Sequence, residues 1–340
     1  MNPEITLKAP VELGFVPTHA KFVGGLVPGE DGKLPRNESG ELVMVAATRD
    51  VVERCRVKTG SVQIPVFPGT LPEEYDMMIS DFKAIGQKVH FVMMLAGVDP
   101  MDPADEEATV EQMKPTLEAA KRNGVTHISA TSVEQWMQPG AKRKDGADFE
   151  AAVEQNIKVH LRAYQEGGLE GSCVEAWDIE FLRPGEFQTF TDVGRLWTFV
   201  SKLNERLGKP FFRCLIDAAH CGDSGLGIAE NQKLIEEIAA GGGLGVMHAS
   251  AKTTRGCLST DDGWVAALFE PAAKSGKLAQ VFVEMFHHED DALGPLRDLD
   301  PGHGIDTTDG RDYTQVVADG LENLAHILNN YVTRGYMPKA

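Results

Sequence analysis

The chain has 340 residues, a length that one α/β barrel commonly reaches, and 42% of them are apolar, enough for a large buried core. Its 51 acidic residues against 33 basic ones give a formal charge of -18, which argues against a nucleic-acid partner and against an anionic membrane surface. No run of about 18 apolar residues occurs and no signal-like stretch opens the chain. The five cysteines, without a CxxC pair, suit a reducing compartment, so a cytoplasmic protein is expected.

Short β-rich runs alternate with helical periods along the sequence, the pattern of repeated βαβ units. The first strand falls at Leu13–Val16, followed by a Gly/Pro-rich loop between Lys21 and Gly40. Further strands are predicted at Ser61–Phe67, Val89–Leu95 and Val125–Ala130. Between the last two, Asp105–Asn123 reads as a helix with Val110, Met113, Leu117 and Ala120 on one face, and Pro115 predicts a kink or a late start. The second half supplies strands at Cys173–Ile179, Phe211–Ile216, Leu244–Met247 and Val281–Val283. Thr191–Leu207 is an amphipathic helix that Gly208 can stop, and about Tyr313–Thr333 forms the last helix. A second long loop is expected from His287 to Gly310. Eight strand–helix units result, and the expected fold is a single (β/α)8 TIM barrel covering residues 1–340 as one domain.

In such a barrel the side chains at the C-terminal ends of the strands share one mouth. Here the four last strands end on Glu180, Asp217, His248 and Glu284, spaced 37, 31 and 36 residues apart, about one βα unit each. Any one of these acids alone would be read as a cap or an ion-pair partner. Four at equivalent positions point instead to a shared metal site. Three carboxylates and one imidazole form a mostly hard ligand set, suited first to Mn2+, with Mg2+ or Co2+ also fitting.

The order Glu, Asp, His, Glu on strands five to eight resembles the xylose isomerase-like TIM-barrel superfamily of sugar isomerases and epimerases, particularly its ketose 3-epimerase branch. Asp217-Ala-Ala-His220 and the segment His248 to Arg255-Gly256 add to the resemblance, which runs from about Val89 to the C-terminus. The resemblance implies a metal-dependent isomerase or epimerase acting on a ketose or related hydroxy-ketone. Glu180 and Glu284 would form the acid/base pair across an enediolate, and His220 and Arg255 would bind substrate oxygens. It also implies a small carbohydrate as partner; family members often assemble as homo-dimers or homo-tetramers. Arg183 and Lys252 are further candidate substrate contacts, with pairing of Arg183 to Glu186 as its plainer reading. For His220 the plainer reading is a residue that orients Asp217. Trp177 is read as packing against a helix, and His19 and Lys21 follow strand one toward the mouth.

Three departures stand out. Glu180 is followed by Phe181-Leu182-Arg183-Pro184, where the ketose epimerases usually carry Pro and a nearby Asn. The spacing from His248 to Arg255 is one residue longer than expected. After Glu284 comes the run His287-His288-Glu289-Asp290-Asp291 and then an acidic loop with His303. That run reads as a solvated loop or a lid more readily than as a second metal site. A metal-dependent lyase, acting on a keto-inositol or splitting a modified glycoside, would use the same ligands. A non-catalytic sugar-binding barrel is the third reading.

Overall fold

Eight short strands alternate with helices in the predicted order and close into one parallel barrel, β1-β2-β3-β4-β5-β6-β7-β8. The structure is a computed structural model and describes residues 4–251, 261–301 and 311–340. The strands are β1 (Glu12–Val16), β2 (Ser61–Val66), β3 (Lys88–Met93), β4 (His127–Ala130), β5 (Ala176–Glu180), β6 (Phe212–Asp217), β7 (Leu244–Ala249) and β8 (Gln280–Glu284). The helices between the first five strands are α1 (Val43–Arg54), α2 (Pro72–Ala84), α3 (Glu106–Asn123) and α4 (Gly146–Glu166). They continue with α5 (Val193–Leu207), α6 (Ala218–Asp223), α7 (Ile228–Ala240), α8 (Trp264–Lys274), α9 (Gly294–Leu299) and α10 (Tyr313–Thr333). Nearly every strand residue is buried, as expected for strands covered on both faces.

The described residues fall into two compact units. One gathers those of Met1–Val89, Asp217–Ala219 and Val246–Ala340. In it β1 lies between β2 and β8, with Gly14 opposite both Ser61 and Phe282. A Cβ on Gly14 would stand 2.5 Å from the Ser61 carbonyl oxygen and 2.6 Å from the Phe282 ring, so only glycine fits this crossing. The last helix, α10, buries Val317, Leu321, Leu324, Leu328 and Tyr331, the stripe its periodicity predicts.

The other unit gathers His90–Ile216 and His220–Gly245. Here α3, α4 and α5 pack side by side, and α5 packs against β5. Asp192 caps α5 by accepting from the Arg195 N–H at 2.9 Å, and Gly208 ends the helix at φ 80°. Helix α3 starts at Glu106 and continues through Pro115, so the predicted late start does not occur. Pro115 and Glu111, whose carbonyl loses its partner, are both exposed, and water can serve that oxygen. Strand β5 starts at Ala176, three residues later than expected, and takes in Glu180. Within the predicted His287–Gly310 loop, the described part contains a 3-10 turn at Asp291–Leu293 and then α9.

Trp177 on β5 is fully buried and points at the helical layer, its ring 5.4 Å from that of His160 on α4 and 5.5 Å from that of Phe212. His160 donates Nδ1–H to the Asn156 carbonyl at 2.8 Å, and its Nε2 lies 2.8 Å from the Ser132 hydroxyl. Burial pushes its pKa down from the ordinary 6.5 to about 4. The folded state therefore holds this ring neutral while the unfolded chain takes up a proton below 6.5. Its stabilisation is complete above pH 6.5 and is lost as pH falls toward 4. Urea unfolding followed across that window should show stability declining with pH, and the slope should become shallower in His160→Gln. An unchanged slope in the variant would remove His160 from the acid response.

Among the described residues no helix is long and apolar enough to cross a membrane.

Candidate active site

Glu180, Asp217 and Glu284 are the last residues of β5, β6 and β8, and His248 is the last but one of β7. Each offers a ligand atom, and these four atoms all lie within 4.8 Å of one another. The setting is dry: Glu180, Asp217 and His248 are buried, and the Glu284 side chain is only 12% exposed. Three carboxylates gathered in so little water repel one another unless a cation joins them. The donor set thus fits a hard or borderline divalent ion, as its residue types predicted.

Neighbouring side chains fix three of the four. His248 has Nδ1 3.1 Å from Glu284 Oε2 and Nε2 2.5 Å from Oε1 of Gln63 on β2. The Ser250 hydroxyl stands 3.2 Å from Asp217 Oδ2 and 2.8 Å from the Glu284 carbonyl oxygen, placed to donate to either. Sequence reasoning passed over Gln63 and Ser250, because a neutral polar residue in or after a strand carries no metal-site signature of its own.

In the other unit, His220 on α6 is buried with Nδ1 3.2 Å from Glu180 Oε1, at ion-pair distance. Arg183 and Glu186 form the pair that was the plainer reading for Arg183, with Nε 2.9 Å from Glu186 Oε1. Its Nη1 also lies 3.7 Å from Asp223. The Trp136 indole donates to the other Glu186 oxygen at 3.3 Å. The same segment after β5 is held from the β4 side by buried Glu134, whose carboxylate accepts the N–H groups of Gln188, Thr189 and Phe190 at 2.8, 2.8 and 3.0 Å. Burial raises the Glu134 pKa, while those three donors pull against the rise. Lys252, Arg255 and His303 lie outside the described residues.

The His287-to-Asp291 run joins no metal-binding group among the described residues. Its side chains hold the segment together: the His287 ring stacks on Tyr313 with centroids 3.7 Å apart and planes 10° from parallel. Asp290 is buried and accepts from the N–H groups of Phe22 and Val23, which ties the segment after β1 to the one after β8. Lys21 pairs with Glu289 at 3.5 Å, and the buried His19 bonds through Nε2 to the Ala47 carbonyl.

No family model matches the sequence, and no curated protein does. Solved structures do. An L-ribulose 3-epimerase superposes with a TM-score of 0.71 at 14% identity, covering 96% of this chain and 97% of its own. The chain shares the (β/α)8 barrel fold of that protein. A D-allulose 3-epimerase from Methylomonas sp., in complex with D-allulose, has a TM-score of 0.68 at 14% identity over 95% of this chain and 99% of its own. A xylose isomerase domain protein from Planctomyces limnophilus gives 0.58 at 14% identity over 96% and 99%. At such identities the likeness establishes the barrel fold alone, along nearly the whole chain. The chemistry has to come from the residues at its mouth.

Proposed function

We propose that this chain is a metal-dependent isomerase or epimerase acting on a ketose or a related hydroxy-ketone. The observation that carries the reading is the convergence of Glu180, Asp217, His248 and Glu284, at the C-terminal ends of four successive strands, within 4.8 Å. These four residues would hold one divalent ion, Mn2+ by preference, and the ion would supply Lewis-acid polarisation of the substrate carbonyl. Glu180 and Glu284 do the proton work. One carboxylate takes the proton from the carbon beside the carbonyl, leaving an enediolate. The other returns a proton from the opposite face, which inverts that carbon, and return to the neighbouring carbon gives the isomer instead. His220, 3.2 Å from Glu180, steadies that carboxylate and offers its imidazole to a substrate oxygen. Arg255 and Lys252 complete the substrate contacts in this proposal, and Arg183 keeps Glu186 in place. The proposal places the reaction in the cytoplasm, a reducing compartment that suits the free thiols of Cys55, Cys173, Cys214 and Cys221.

The test begins with chelator-treated protein titrated with Mn2+ and then incubated with free ketoses in heavy water. One ion bound per chain, and deuterium entering the carbon next to the carbonyl with an epimeric or isomeric product, is the expected result. Irreversible loss of a leaving group would reassign the site to a lyase. Absence of both binding and exchange would leave a sugar-binding barrel.

A further inference from the structure

The two nitrogens of His248 face different partners, and the difference fixes where the ring carries its hydrogen. Nε2 lies 2.5 Å from Oε1 of Gln63, a fully buried residue within β2, and an amide oxygen only accepts. With the amide so oriented, Nε2 carries a hydrogen. Nδ1 faces a carboxylate oxygen of Glu284 at 3.1 Å, so it either carries a second hydrogen, making the ring an imidazolium, or presents a lone pair beside that carboxylate. Two acceptors at that distance repel one another unless positive charge sits with them. The opposite tautomer would place Nδ1–H on Glu284, removing that nitrogen from the ligand set, and would require the Gln63 amide to turn its NH2 toward Nε2.

We propose that Gln63 is a positioning residue for the metal site: it holds His248 as the Nε2–H tautomer and thereby keeps Nδ1 open as the ligand atom. The role rests on the metal reading above. It also accounts for the residue type. A buried amide supplies the acceptor that a ligating imidazole needs behind it, without adding a fourth negative charge to three crowded carboxylates. A hydrocarbon of the same length would fill the space equally well and leave the ring free to choose its tautomer.

The experiment combines a direct view of the ring with metal binding. Nitrogen–proton correlation spectra of the imidazoles in 15N-labelled, metal-free protein, taken at alkaline pH where the ring is neutral, should show the His248 proton on Nε2 and none on Nδ1. In Gln63→Leu that preference should be lost. Calorimetric titration with Mn2+ should show Gln63→Leu binding about 10- to 100-fold more weakly than the unsubstituted chain. Gln63→Glu, which keeps an acceptor at the same atom, should retain the tautomer and most of the affinity. Far-ultraviolet circular dichroism confirms that each variant is folded. If Gln63→Leu does not fold, the ring spectrum of the unsubstituted chain and the Gln63→Glu titration decide. A proton found on Nδ1, or an affinity unmoved in a folded Gln63→Leu, would overturn the role of Gln63 and leave the metal site standing. No Mn2+ binding by the unsubstituted chain would overturn the metal reading and this role together.

Discussion

On the proposed reading, Glu180→Gln and Glu284→Gln should each lower turnover of the ketose by about 100- to 10,000-fold, the range expected when a positioned acid or base is removed. Glutamine keeps the length and shape of the side chain, so packing around β5 and β8 is preserved. It cannot take or give the proton. The two variants should differ in solvent exchange. Removing the group that takes the proton abolishes deuterium uptake altogether. Removing the group that returns it from the other face leaves uptake without inversion, because the remaining carboxylate exchanges its proton with solvent and hands it back to the same side. Proton spectra of the recovered sugar separate the two cases and assign each Glu its role. Turnover within about tenfold of the unsubstituted enzyme in both variants would remove the pair from the chemistry.

The second large effect is on stability. Glu134→Gln should cost at least about 1–3 kcal/mol, since its carboxylate is the buried acceptor for three consecutive backbone N–H groups. An amide has one oxygen to offer. Its NH2 would stand against donors, leaving at least one of Gln188, Thr189 and Phe190 without an acceptor, at about 1–3 kcal/mol for each buried orphan. The segment so held carries Arg183 and Glu186 directly after Glu180, so the loss should reach the active site too. Urea unfolding measures the first effect, and the Mn2+ dependence of turnover measures the second. A stability change below about 1 kcal/mol would show that Trp136 and the Arg183–Glu186 pair hold the segment by themselves.

The ligand set was legible in the sequence because a barrel repeats its unit. Glu180, Asp217, His248 and Glu284 recur about one βα length apart, and each closes an apolar run. Trp177 and the α10 stripe were legible for the same reason, as periodic burial. What escaped was everything that depends on which strand stands near which. Gln63 lies 185 residues from His248 and looks like any polar residue in a buried strand. Glu134 looks like a solvated loop acid until its three N–H donors arrive from beyond β5. The start of β5 was misplaced because Cys173 and Val174 are as apolar as the strand that follows, and periodicity cannot mark where pairing begins. Pro115 was expected to kink the helix or delay its start, whereas the helix begins at Glu106 and runs through it.

The closure of the barrel sets the order in which a growing polypeptide can complete its chemistry. Gln63 leaves the ribosome early and its partner His248 late, while Glu284 follows last of all, at the end of the strand that must zip along β1 from Glu12–Gln280 to Val16–Glu284. Until that final seam closes, a nascent chain lacks Glu284 and cannot bring all four side chains of the cluster together. On the proposed metal reading, ion capture would be a late step of synthesis, and the cation would rivet the last joint made.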